Sequence, residues 1–486
     1  MGHRRLVVIE VNEVPRRVLV DVAAEGRAPF LAGLLADDQV VETVVAESLP
    51  REMYPSQTWA SLNTGVPWCD HRVWWYGDPK PAEYPLYWQV AASSNRSVGL
   101  VNTLHSSPLS VQCASGDYRF VLPDCFATDS ETLPERYQDF QELNLRLTRA
   151  NSRQSNIGSA SKEAGLAVKA LARLGLTAPA LGRISRLTTD VFLGRVPRER
   201  LRSGQFLVLA DLFERLLAAE APDLAVMFTN HVAAVMHRYW YAMYPDDFDV
   251  DHYPPAWVDQ HREEIPAAVE MLDRFLSRLD VWCRRNERTL IVVSSMGQGP
   301  SRRLDSERTH EAIVVSPETF LAAVGIGRST NESAAAWSGD RLLTDVDMPS
   351  IRGSMAPNLT LDCQSEVDAE RIGRHLSSLG AGRAGWIVDR VDEVVTLTYD
   401  IEVADPATVV IAEQEVSAAS VGVDVYEVDD HSSGRHVPEG IVAVSNSPSF
   451  KQPADRRVDY LDFAPAVLDL LAVDRLDHHR SPLLQL

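Results

Sequence analysis

The sequence predicts an α/β fold built on a mostly parallel sheet covered by helices on both faces. Three observations carry that expectation. Three short apolar runs, Leu6 to Val11, Leu224 to Thr229 and Thr289 to Ser294, read as buried strands. The second and third each follow a helical pattern. Before the third, Ile265, Val269, Leu272, Leu276 and Leu279 recur at helical spacing. All three runs end in polar or titratable residues, and in sheets of this kind the ligand sits beyond the carboxyl ends of the strands.

The elements follow in order. Residues 1–125 form the first part of the core, with a short helix expected from Trp59 to Asn63. Residues 126–215 read as a helical insertion, a cap over the site, with helices Glu135 to Leu147, Lys162 to Leu174 and Ser203 to Ala218 separated by Ser/Asn-rich breaks. Residues 216–300 are the second part of the core. Residues 301–425 read as an α+β insertion. It has strands Ala312 to Val315 and Glu393 to Tyr399, a helix Glu370 to Leu379 and a Ser/Ala-rich loop Asn331 to Gly339. Residues 426–486 complete the core and end on a helix, Tyr460 to Leu471. No internal repeat is present.

Composition narrows the function classes. A net charge of −21 argues against duplex nucleic acid or an anionic membrane as the main partner, since both call for basic patches. A small molecule is the expected partner. The five cysteines form no CxxC pair, so neither a zinc knuckle nor a disulfide framework is expected. Free thiols in a reducing, cytoplasmic setting follow. The apolar run of MGHRRLVVIEV is too short for a signal peptide and is broken by Glu10, and no apolar stretch reaches membrane-spanning length. Oligomeric state is not legible.

Five segments then carry the chemistry. They are VVIEVNEVP (Val7 to Pro15), YPSQTWASLNTGVP (Tyr54 to Pro67), FTNHVAAVMHRYW (Phe228 to Trp240), IVVSSMGQGP (Ile291 to Pro300) and GRHVPEGIV (Gly434 to Val442). In this order they resemble the alkaline phosphatase superfamily, more closely its nucleotide pyrophosphatase/phosphodiesterase branch. The resemblance implies an alkaline-phosphatase-like core. It also implies roles by position. The family's metal-binding Asp-Gly falls on Asn12-Glu13. Its Ser-x-x-Thr-Gly segment, followed by Pro and His, matches Ser61, Thr64, Gly65, Pro67 and His71. Its Asp-x-x-x-His falls on Ala233 and His237. The Asp and His of its Ser-Asp-His-Gly fall on Ser295 and Met296, and its last histidine on His436. The family nucleophile falls on Pro55, and a one-residue shift brings Ser56 there, with Thr58 two further on.

The family's two-zinc displacement at phosphorus needs ligands that Asn12, Ser295 and Met296 do not supply. One divalent site at most is expected, zinc or another metal, with a metal-free protein as the alternative. His237 and His436 are its candidate ligands, and His231, six residues before His237, is a candidate third nitrogen. His231 could equally hydrogen-bond the strand end. Asp429, Asp430 and His431 precede the last motif and are further candidates.

Each remaining candidate has two readings. Glu10 is a general base with a raised pKa or, slightly favoured, a salt-bridge partner of an arginine. Glu13 is a simply exposed residue opening the first loop or, being at the mouth of the site, part of it. Ser56 and Thr58 are nucleophiles or helix N-caps. Asn230 donates to a phosphoryl oxygen or forms a turn. Ser295 and Met296 line a substrate pocket, the methionine suiting an organic group. Trp75, with Trp74, Tyr76, Tyr239 and Trp240, stacks a ring or packs the core. The function expected is a diverged phosphodiesterase- or phosphatase-type hydrolase or transferase acting on a small phosphate ester at a mononuclear or metal-free site. The alternatives are a catalytically inactive binding or scaffold protein, and a metal-free acid/base enzyme using Glu10 or Glu13 with His231.

Overall fold

Ten strands position the site: β1 Arg5–Val11, β2 Val40–Val44, β3 Ser97–Thr103, β4 Asp117–Pro123, β5 Leu224–Thr229, β6 Arg288–Ser294, β7 Gly297–Pro300, β8 Gly434–Val437, β9 Glu439–Ser445 and β10 Arg457–Asp459. Eight of them form one sheet in the order β10-β2-β9-β6-β1-β5-β3-β4. β1 pairs in parallel with β5 and β6, β3 with β5 and β4, and β10 with β2. Only β9 runs against its neighbours β2 and β6. The remaining two, β7 and β8, make an antiparallel ladder in which His436 stands opposite Gln298.

These strands come from a computed structural model that describes residues 4–47, 49, 53–76, 78, 82–114, 116–149, 174–249, 253–301, 310–326, 343, 346–352, 358–379, 386–399, 407–411, 414–427, 433–453 and 456–486. The chain divides into two units, Met1–Ser301 with Ser432–Leu486, and Arg302–His431.

In the first unit β1, β5 and β6 are buried almost end to end because both sheet faces are covered, so their sequences read as unbroken apolar runs. Side chains alternate between two cores. Val7, Ile9 and Val11 enter one with Val269, Leu272 and Leu276 of the helix Glu264–Arg285. Leu6 and Val8 enter the other with Trp59 and Leu62 of the helix Pro55–Thr64 and with Phe463 and Val467 of the helix Phe463–Leu470. The expected helices after residue 126 appear as Gln138–Arg149 and Gly204–Glu220, with an additional one at Ala178–Phe192. Most of the expected Lys162 to Leu174 helix lies outside the described residues, as do the loop Asn331 to Gly339 and the residues Asp429, Asp430 and His431.

The second unit has a four-stranded antiparallel sheet in the order Trp386–Val391, Val394–Tyr399, Asn358–Asp362, Ser350–Arg352. The helix Glu366–Leu379 buries Ala369, Ile372, Leu376 and Leu379 in the core that Leu361, Val395 and Leu397 share.

The reversal at β9 brings three strands close at the sheet's functional edge. A Cβ at Gly440 would lie 2.3 Å from the Ser294 carbonyl oxygen and 2.7 Å from Thr43 Oγ1. Gly440→Ala is therefore expected to destabilise the protein by about 2 kcal/mol or more, because two strands and no flexible side-chain end must move. Urea unfolding of this variant checks it.

Candidate metal centre

Glu13 turns the chain out of β1 with φ at +57°, a left-handed conformation that costs a residue bearing a Cβ about 1 kcal/mol. The turn aims its carboxylate across the carboxyl ends of the strands, where it is almost wholly buried. Glu13 Oε2 lies 2.8 Å from His237 Nε2 and 3.4 Å from His436 Nε2. Gln298 Nε2 donates to the same oxygen. Asn12 Nδ2 donates to Oε1 at 2.6 Å. The Trp59 indole donates to Asn12 Oδ1 at 2.8 Å, which fixes the amide with its nitrogen toward Glu13. Burial alone would raise the Glu13 pKa. The charges of His436 and His237 and their hydrogen bonds outweigh it and hold the carboxyl well below the usual range.

Both imidazoles are oriented from behind. His237 Nδ1 meets the Gly434 carbonyl at 3.0 Å, and His436 Nδ1 meets the Met53 carbonyl at 2.6 Å. A carbonyl only accepts, so Nδ1 carries a proton in each ring; Nε2 is the atom turned to Glu13, donating to it from a charged ring and offering its lone pair to a metal from a neutral one. Metal-ligating histidines are held in this way. The three donor atoms lie within 4.8 Å of one another. Tetrahedral zinc with bonds near 2.0 Å needs ligand atoms about 3.3 Å apart, which this spread can meet. One carboxylate and two imidazoles with solvent access at the half-buried histidines thus fit a divalent cation with an open position.

The helix His231–Met243 carries His237 and breaks just after it, at Tyr239 (φ −119°, ψ 17°). Ser433 fills the break. Its N–H donates to the His237 carbonyl at 2.7 Å, its hydroxyl donates to the Arg238 carbonyl at 3.0 Å, and the Tyr241 N–H donates to its Oγ at 3.2 Å. A Cβ at the next residue, Gly434, would lie 2.7 Å from both Gln298 Oε1 and the Met236 carbonyl, so this close approach of strand to helix requires glycine.

The structure brings Glu13, His237 and His436 together, and Asn12 and Gln298 hold Glu13. It does not bring His231 there. His231 Nε2 faces the Ala268 carbonyl at 3.2 Å and Nδ1 faces Thr229 Oγ1 at 2.8 Å, with the ring stacked on Phe206. Both nitrogens are used and burial lowers its pKa to about 3, so it stays neutral and structural. The carboxylate of Glu13 stands where His231 was expected as third ligand. Glu10 makes no ion pair among the described residues, against the favoured salt bridge. It faces the Tyr87 hydroxyl at 3.5 Å, and burial pushes its pKa up to about 8, with Tyr87 and Asn63 opposing. Protonation, not an arginine, solves its burial.

Ser56 donates to the Trp74 carbonyl at 2.7 Å, and Thr58 shares a hydrogen bond with Ser295 at 2.9 Å. Both are buried, and neither caps the helix, whose N-terminus bears no side-chain cap. Met296 is fully buried in the apolar core beside Trp59. Asn230 is exposed at the end of β5 and accepts from Asn12 Nδ2 at 2.8 Å. Trp75 is half-buried against Tyr76 and Phe126, and Tyr76 is stacked on Phe126 with ring centroids 4.1 Å apart. The sequence reading did not single out Gln298 and Ser433. Both adjoin segments matched to metal motifs, but neither falls on a ligand position, and only the β7–β8 ladder and the helix break give them their place.

Two outcomes follow. Ser433→Ala is expected to weaken cobalt(II) binding by about tenfold. Titration of the cobalt absorption reads it, and an unchanged affinity beside a lowered melting temperature would leave Ser433 a purely structural residue. Glu10 binds its proton in the folded state up to about pH 8 but near 4.5 when unfolded. Its contribution to stability is therefore complete below pH 4.5 and lost as pH rises through 8, on the order of 5 kcal/mol in all. Glu10→Gln should raise the melting temperature, more at pH 8 than at pH 5; a pH-independent difference would contradict the buried, protonated carboxyl.

No family model and no curated protein matches this sequence. Its structure is similar to phosphonoacetate hydrolase from Sinorhizobium meliloti in complex with phosphonoformate, with 14% identity, 97% of this chain and 96% of that chain covered, and a TM-score of 0.42. It is also similar to human ectonucleotide pyrophosphatase/phosphodiesterase 5, with 9% identity, 98% and 96% covered, and a TM-score of 0.45. The likeness lies in the course of the chain; the chemistry rests on this site's own residues.

Proposed function

We propose that this chain is a diverged phosphodiesterase- or phosphatase-type hydrolase or transferase of the alkaline phosphatase superfamily, working on a small phosphate ester with one divalent cation. The observation that carries the reading is the donor set of Glu13, His237 and His436, with both Nδ1 atoms committed to carbonyls and both Nε2 atoms converging on the carboxylate. When bound there, a divalent cation supplies Lewis-acid polarisation of a phosphoryl oxygen and an activated nucleophile at neutral pH.

The chain's own residues do the rest. Asn12 and Gln298 keep the carboxylate in place and ionised. Asn230, its oxygen engaged by Asn12, presents its amide N–H groups at the exposed rim as donors for a phosphoryl oxygen. Ser56 and Thr58 are hydrogen-bonded and buried, so this reading uses water rather than a side-chain nucleophile. A second reading, an inactive binding protein, is favoured by the loss of ligands at Asn12, Ser295 and Met296.

Metal content and turnover separate them. Protein supplemented with zinc is expected to hold one equivalent by mass spectrometry, and to lose it in Glu13→Gln and His436→Ala. The loaded protein should hydrolyse bis(p-nitrophenyl) phosphate or p-nitrophenyl phosphate, with a fall of about a hundredfold or more in Glu13→Gln. One zinc with no turnover of either ester favours the binding protein. No zinc at all overturns the metal reading.

A further inference from the structure

The chain holds 47 basic and 68 acidic residues, yet residues 150–203 hold ten basic and three acidic ones. The described part of this stretch centres on the helix Ala178–Phe192, of whose fifteen residues only Ala180 is fully buried. Ile184 packs against the core. On another side, Leu181, Ser185, Thr188 and Phe192 stand at i, i+4, i+7 and i+11, a single ridge along the helix. All four are exposed. Phe192 is 87% exposed, and Leu193, beside it in the following turn, is 53% exposed. Leu201 is exposed as well. Of seven exposed large hydrophobic residues among the described residues of the first unit, four fall between 181 and 201. Scattered single residues would need no explanation; Phe192 and Leu193, adjacent and both exposed at the end of the helix, do.

Arginines are frequent in the same stretch of chain, Arg186 on a different side of the helix from the ridge. Between 178 and 203 there are six, against Asp190 and Glu199. Arg200 is pinned by Glu264, and Arg195 pairs with Asp190 at 3.1 Å. Among the described residues Arg186 and Arg198, both exposed, have no ion-pair partner. Nucleic acid would satisfy the arginines but leave Leu181, Phe192 and Leu193 in water. The phenyl ring and leucines suit an acyl boundary, and guanidinium groups in the same stretch suit lipid phosphates.

We propose that this face docks the protein on an anionic bilayer surface, Phe192 and Leu193 entering the headgroup–acyl boundary and Arg186 and Arg198 meeting lipid phosphates. The net charge of −21 argued against a membrane partner only as an average over the chain. The acidic remainder makes the contact depend on orientation and on salt. No helix among the described residues is long and apolar enough to cross a membrane, so the contact is peripheral.

The test is co-sedimentation of the full chain with vesicles of phosphatidylcholine alone or mixed with phosphatidylglycerol. Binding is expected only to the mixed vesicles and should weaken with added salt. Phe192→Glu, and separately Arg186→Glu combined with Arg198→Glu, should each lower the partition coefficient by about tenfold or more. These side chains are exposed, so melting temperatures should stay unchanged and fold loss is excluded as the cause. Absence of sedimentation with anionic vesicles at low salt overturns the proposal. So does equal binding by the variants. A dimer seen by light scattering and dissociated by Phe192→Glu would assign the ridge to a second copy of the chain and also overturn it.

Discussion

The site depends on keeping one buried carboxylate ionised. Glu13 has lost nearly all contact with water, and burial alone would protonate it. Four side chains prevent that: His237 and His436 by charge and hydrogen bond, Asn12 and Gln298 by hydrogen bond. Glu10, three residues earlier on the same strand, shows the opposite outcome. With a tyrosine hydroxyl as its nearest donor it takes up a proton and stays neutral to about pH 8. Two glutamates at one end of β1 thus differ because only one of them has imidazoles and amide donors beside it.

The resemblance to the alkaline phosphatase superfamily implies two metal positions at this edge, and the residues that fall on the two positions are held differently. Where one metal's ligands fall on Asn12, Ser295 and Met296, the space is closed by packing. Asn12 is tied to Trp59, Ser295 to Thr58, and Met296 joins the apolar core. Where the other metal's ligands fall on Ala233, His237 and His436, only a carboxylate is absent, and Glu13 brings one from the neighbouring strand. Gln298 bridges the exchange, donating to Glu13 and, at 3.2 Å, to the Ala233 carbonyl.

The frame was legible in the sequence because it is written in local patterns. Unbroken apolar runs give β1, β5 and β6, since each is buried on both faces. Apolar spacing gives the helix Glu264–Arg285. His237 and His436 were legible from motif order alone. The role of Glu13 was not, because a position aligned with a glycine is not searched for a ligand. Only the left-handed turn, which a glycine would adopt freely, reveals that this glutamate is held there. His231 misled for the converse reason. Its distance in sequence from His237 suited a ligand, but Thr229 and Ala268 lie closer in space. The helix Ala178–Phe192 escaped notice because its exposed residues mix Leu181 and Phe192 with Ser185, Arg186, Thr188 and Thr189, so no clean polar face marks it as a surface helix.

Backbone irregularity gathers at the same edge as the chemistry. Glu13 is left-handed, the helix breaks at Tyr239 directly after His237, and Gly434 and Gly440 allow approaches that no Cβ would permit. Each irregularity is held by a specific partner. The Glu13 turn is tied down when Val14 N–H donates to Ser294 Oγ at 3.0 Å, and Ser433 replaces the hydrogen bonds that the helix loses. Such distortions cost stability and persist only when surrounding contacts over-determine them. A fold kept merely as a scaffold would be free to relax them, for example by glycine at position 13. These distortions converge on the three donor atoms of Glu13, His237 and His436, whereas Asn12, Ser295 and Met296 are held by hydrogen bonds and close packing.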